Sequence, residues 1–145
     1  MKNEMITEII VCSLILSPQP VDIKDFQHCM EQEEKIEHVS KWMPLVKRYF
    51  PTDEIKTALL VIYCESRGVS SATNHNTNSK GVYKNSKDRG LFQINSITFD
   101  WAREKLGVRD EPYNPYIGAY ISAWIVKHFD WAWWSSSEHC WGTNG

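Results

Sequence analysis

Two carboxylates of this 145-residue chain stand in opposed settings. Glu65 follows the apolar run Ala58-Leu59-Leu60-Val61-Ile62-Tyr63, near the end of a segment whose pattern predicts a helix stopped by Gly68. The C-terminal end of a helix carries partial negative charge, and aliphatic and aromatic neighbours exclude water; both effects favour the acid over its anion. A carboxyl in that position keeps its proton near neutrality and has it ready for a poor leaving group. Asp88 lies in "KNSKDRG", between Lys87 and Arg89, a polar run that suits an ionised carboxylate. An acid on one side of a bond and a carboxylate on the other is what glycosidic cleavage requires. The competing reading of Glu65 is a satisfied polar residue in a core, and that of Asp88 a turn residue before Gly90.

Other reactive side chains form no second constellation. Cys12, Cys29, Cys64 and Cys140 show no C-x-x-C spacing, which removes zinc ribbons and thioredoxin-like redox motifs. His75 and His128 have no ligand spacing and read as solvated surface, so neither a metal nor a cofactor is expected.

The elements that must position the two carboxylates are mostly helical. Residues 22–39 mix charge with Ile23, Phe26, Met30 and Ile36 near helical spacing, and Leu45, Val46, Tyr49 and Phe50 continue the pattern after Pro44. A helix over 53–66, capped by Thr52 or Asp53, is apolar nearly all round and therefore central. The Asn-, Ser- and Gly-rich stretch 69–90 predicts a loop with a small hairpin, and "GLFQIN" a short strand with Phe92 and Ile94 on one face. Helices over 97–106 and 114–128 follow, the second with Ile117, Tyr120, Ile121, Trp124 and Ile125 as its buried stripe. The class is α+β, mainly α.

With 42% hydrophobic residues, residues 21–145 suffice for one domain with a real core. Net charge is −5 over residues 1–40 and +3 over 41–145, so the mildly basic part coincides with the motifs. That balance suits an anionic polymer and lacks the dense Lys/Arg stripe of a nucleic-acid binder. Residues 1–20 outline a signal peptide or leader, although Glu4 and Glu8 spoil its basic region; a short buried or amphipathic helix is the competing reading. The apolar run from Ile9 to Leu16 is too short to span a membrane. Cys12 falls in this run and is lost with it or buried, which leaves Cys29 an odd thiol in the core.

The motif Glu65-Ser66, Ala72-Thr73-Asn74-x-Asn76-Thr77, Asp88-x-Gly90, Gln93-Ile94-Asn95-Ser96 resembles the catalytic segment of the animal c-type lysozymes, echoed by Trp131 to Trp134 and Cys140-x-Gly142-Thr143. The resemblance implies helices around a small antiparallel sheet beside a cleft, and hydrolysis of the β-1,4 bond between N-acetylmuramic acid and N-acetylglucosamine. Glu65 would be the general acid and Asp88 the nucleophile or stabiliser, held by Asn76 and Asn95. Gln93 and Asn95 would line the cleft, Trp131 or Trp133 would keep Glu65 dry, and Phe99 and Trp101 would form its aromatic rim. That family ties its Glu-bearing helix to the C-terminal segment by a disulfide, which implies Cys64–Cys140 here. Extra residues around "SKGVYKNSK" and the absence of most of the family's cysteines depart from the pattern.

"ESRG", "GLFQIN" and "YNPYIGAYISAW" are similar to the bacterial soluble lytic transglycosylase domain, which needs a single catalytic Glu. Both resemblances imply a monomer acting on peptidoglycan glycan strands, either secreted or periplasmic, or virion-associated if phage-encoded. A non-catalytic wall-binding or virion module on the same fold is the alternative from another class.

Overall fold

The computed structural model of the chain describes Cys12 and residues 23–142. Apart from Cys12, the leader-like segment lies outside the described residues. Over residues 23–142 six α-helices run in order: α1 (Ile23–His38), α2 (Met43–Tyr49), α3 (Ile55–Ser66), α4 (Ser96–Leu106), α5 (Pro115–Phe129) and α6 (Glu138–Trp141). Between α3 and α4 lies an antiparallel sheet of β1 (Thr73–His75), β2 (Lys87–Arg89) and β3 (Ile94–Asn95), in the order β1-β2-β3. The class is therefore α+β, mainly α, as the periodicity predicts.

Helix α3 is the axis of the molecule. Ala58, Leu59, Leu60, Val61 and Ile62 are all buried, so consecutive residues point into protein on every side. Helices α1, α2 and α6 and the 3-10 stretch Asp130–Ser137 pack around it. Each large aliphatic side chain so buried contributes roughly 1.5–3 kcal/mol before chain entropy is counted. The start of α3 differs from expectation: Thr52–Glu54 form a 3-10 turn, and neither Thr52 nor Asp53 makes a side-chain capping bond. Pro51, held at φ −64°, enters this turn directly, and Glu54 accepts a bond from Trp131 Nε1 at 2.6 Å.

The end of α3 follows the sequence. Arg67 (φ 54°) and Gly68 (φ 80°) adopt left-handed backbone, which breaks the helix one residue after Ser66. A Cβ at Gly68 would also lie 3.1 Å from Cγ1 of Val39, just beyond α1, a tight contact that adds to the strain of the positive φ.

"GLFQIN" is only partly a strand. Gly90 (φ 82°) and Gln93 (φ 50°) are left-handed, and Gln93 Nε2 donates to the carbonyls of Ala72 and Gly90, both at 2.9 Å. Leu91 to Gln93 therefore form a turn, Leu91 joins Phe92 and Ile94 in the core, and pairing resumes only at Ile94. Helices α4 and α5 start as expected: Asn95 Oδ1 accepts from Ile97 N, and Asn114 Oδ1 from Tyr116 N, with Pro115 next to the cap. The buried face of α5 is Ala119, Ile121, Ser122, Ile125 and Val126. Tyr120 is exposed and Ile117 and Trp124 half-buried, because small Ala119 and Ser122 let neighbours approach closer than the apolar stripe suggests.

Both pairs of cysteines are joined, Cys12 to Cys29 and Cys64 to Cys140. Cys29 is thus not an odd thiol; its partner is the cysteine of the leader-like run.

Candidate active site

Glu65 sits in the last turn of α3 and faces a cleft of about 140 Å³. Helix α3 supplies Glu65 to this cleft; β2 supplies Asp88; the turn and β3 supply Gln93, Ile94 and Asn95. Thr98 of α4, Ile125 of α5, and Trp133, Trp134 and Ser136 of the 3-10 stretch complete the lining. The two carboxylates therefore share one cleft, one on the helical wall and one on the sheet.

Their electrostatics differ as their surroundings do. Burial is the largest influence on Glu65 and raises its pKa; the Asp88 carboxylate raises it further, while a hydrogen bond from Ser137 partly opposes both. The net direction is upward, toward a carboxyl that keeps its proton. Ser137 Oγ donates to Glu65 Oε1 at 2.5 Å. Asp88 is instead held by polar groups. It stands opposite Asn74 in β1 and Asn95 in β3, and Asn95 Nδ2 donates to Asp88 Oδ1 at 2.9 Å. The same amide donates to Ser86 Oγ at 2.8 Å. Asn76 stands one bond behind, donating to Ser86 Oγ at 3.2 Å, so it reaches Asp88 only through Ser86 and Asn95. A Cβ at Gly90 would lie 2.8 Å from the Pro112 carbonyl, which leaves glycine the only fit in the turn beyond Asp88.

The aromatic residues divide. Trp133 lines the cleft, is 45% exposed, and stacks on Trp101 with ring centroids 5.8 Å apart. Trp101 packs behind Trp133, outside the cleft lining. Phe99 is 1% exposed in the core and has no surface to offer a ligand, because its side of α4 faces inward. Trp131 is also core: it stacks on Phe50 at 5.8 Å and bonds Glu54. The tryptophan that joins Trp133 beside Glu65 is Trp134, whose Nε1 donates to the Phe92 carbonyl at 2.8 Å.

Sequence reasoning misses Ser137, Ser136, Trp134, Thr98 and Ile125. A signal for Ser137 exists: Cys140 lies three residues on, and a bond from Cys140 to Cys64 brings that turn beside Glu65. Among the described residues, the grouping with metal-ligand spacing is Cys12, Cys29 and Glu33, and its two sulfurs are bonded to each other. A larger hollow of about 880 Å³, bounded by Tyr49, Phe50, Pro51 and the end of α5, holds none of the motif residues, and its Glu54 is engaged by Trp131.

This arrangement sets a half-buried carboxyl with a raised pKa and a second carboxyl in one groove with aromatic and amide lining. No curated protein and no solved structure matches the chain. Residues 47–134, more than half of it, match the transglycosylase SLT domain family, a match that spans Glu65, the sheet, α4 and α5. The chain belongs to that family of enzymes that cleave the glycan strands of peptidoglycan.

Proposed function

We propose that the protein is a lytic transglycosylase that cuts the β-1,4 bond between N-acetylmuramic acid and N-acetylglucosamine, with Glu65 acting first as acid and then as base. The observation that carries this reading is the burial of Glu65 in the cleft wall, which favours its protonated form, within a chain of the SLT family. Glu65 gives its proton to the glycosidic oxygen as the bond to C1 of the muramic acid breaks, and the glucosamine leaves as an alcohol. The resulting Glu65 carboxylate takes the proton of the C6 hydroxyl of the same sugar while that oxygen attacks C1. A 1,6-anhydro ring closes, no water is consumed, and Glu65 regains its proton. The amide hydrogens of Gln93 and Asn95 are spent within the protein, which leaves Gln93 Oε1 in the lining to accept from a sugar hydroxyl, and Trp133, backed by Trp101, offers an aromatic face. The two disulfides suit a secreted or periplasmic protein, or one carried by a virion, and no helix among the described residues is long and apolar enough to cross a membrane.

A second reading is favoured by Asp88, which shares the cleft and raises the pKa of Glu65. In it Asp88 serves as nucleophile or stabiliser and water replaces the C6 hydroxyl, making the enzyme a muramidase. Clearing of cell-wall suspensions by wild type and Glu65→Gln tests the shared part. Loss of roughly 10²–10⁴-fold in rate is expected for the variant. Equal clearing by both proteins would remove Glu65 as the acid, and none by either would leave a wall-binding module. Masses of the released fragments separate the two enzymes, because the anhydro product is one water lighter. Asp88→Asn retains most activity as a transglycosylase and loses it as a hydrolase.

A further inference from the structure

Glu65 is held by a side chain that neither motif contains. Ser137 Oγ lies 2.5 Å from Glu65 Oε1, 3.1 Å from the Trp134 carbonyl and 3.1 Å from Trp141 Nε1. An indole N–H is a donor only, so at Trp141 the serine oxygen must accept. Its single hydrogen then has two acceptors, and the Trp134 carbonyl already receives Trp141 Nε1 at 3.1 Å. The shorter contact, to Glu65, is the one that receives the hydrogen. Trp141 is buried, and Ser137 is bracketed by the Cys64–Cys140 bond, whose two ends adjoin Glu65 and lie one turn beyond Ser137. The hydroxyl is therefore aimed from both sides.

We infer that Ser137, oriented by Trp141, is a positioning residue for the acid: it holds Glu65 by Oε1, so that the proton exchanged with substrate travels on Oε2. This rests on the reading of Glu65 as the acid. With Oε1 receiving the serine hydrogen, a proton on the carboxyl is directed to the other oxygen. When that proton leaves, the serine bond becomes charge-assisted and stabilises the new anion in a wall that otherwise disfavours it. Among the described residues, the charged groups of the neighbouring elements do not duplicate this. Asp88 of β2 opposes the anion; on α3 itself Arg67 turns back to the Tyr63 carbonyl at 2.6 Å; Lys35 of α1 donates to the Cys140 carbonyl at 2.9 Å; Glu138 and His139 of α6 are exposed.

The test is Ser137→Ala, Ser137→Thr and Trp141→Phe, read both by the pH profile of glycan cleavage and by NMR titration of a 13C-labelled Glu65 carboxyl without substrate. In Ser137→Ala the Glu65 titration and the alkaline limb of activity should both move to higher pH, with kcat on the order of tenfold lower, as for a lost hydrogen bond to a charged group. Ser137→Thr should restore both, and Trp141→Phe should move them the same way by less. A fall in kcat with the titration and limb unmoved would mean that Ser137 only supports the fold, and would overturn the inference. A titration that moves in a protein with no cleavage activity would uphold the Ser137 bond and sink the proposed function instead.

Discussion

The wall that carries Glu65 is apolar and covalently tied, whereas the wall that carries Asp88 is a small sheet held by side-chain amides and hydroxyls. Glu65 rises from a helix buried on all sides, with Trp134 beside the cleft and the Cys64–Cys140 bond next to it in sequence. Asp88 sits among Asn74, Asn95 and Ser86, on strands of two or three residues with exposed neighbours. A carboxyl that must keep a proton needs a surrounding that cannot relax to solvate its anion. Asp88, on the polar sheet, is met by the Asn95 amide instead. Apolar packing and the covalent tie are concentrated on one side of the cleft, and side-chain amides on the other.

The comparison is broken most severely by removing the covalent tie. Replacing Cys64 and Cys140 together by serine should cost about 2–5 kcal/mol of stability. Urea unfolding would measure it, and a midpoint equal to that of wild type would show that packing alone holds the helical wall. On the sheet side the expected effect is smaller. Asn95→Ala deletes the cap of α4 and the bond to Asp88, and should cost on the order of 1 kcal/mol. In a transglycosylase, which tolerates Asp88→Asn, its cleavage rate should change little beyond the loss of stability; a rate that falls much further would mean that Asp88, deprived of its direct donor, takes part in the chemistry. The smallest effect sharpens the contrast. Because the folded protein raises the pKa of Glu65, the stability associated with its acid form is fully present below the unfolded pKa and is lost as pH rises through the folded value. Glu65→Gln abolishes that slope, so its advantage in Tm over wild type should grow from pH 4 to pH 8. A difference independent of pH would mean that Glu65 is not held in a dry wall.

Much of the helical wall is legible in the sequence, because its logic is periodic. An apolar run of that length on every face marks a central helix, and the glycine two residues past its end, Gly68, adopts left-handed backbone as Arg67 does before it. The sheet wall is less so. Gln93 adopts φ 50° although it is not glycine, and its reason lies in two carbonyls, one of them 21 residues back along the chain. No window of neighbouring residues contains that information. Phe99 reads as a rim aromatic and Trp131 as a cover for Glu65 for the same reason: an aromatic residue reads alike whether it faces solvent or core, and only packing separates Trp133 from Trp131. Ser137 is hidden by distance, since 72 residues separate it from the carboxyl it touches. The family motif ends before it, at residue 134.

Trp133 gives the cleft an optical reporter of its own. Of the seven indoles it is the one most open to water among those described, while Trp131, Trp134 and Trp141 are enclosed. Water-relaxed emission from the folded chain therefore originates chiefly at the mouth of the groove. A saccharide settling there would blue-shift that component and leave the enclosed ones unchanged, so occupancy can be followed by fluorescence without a label.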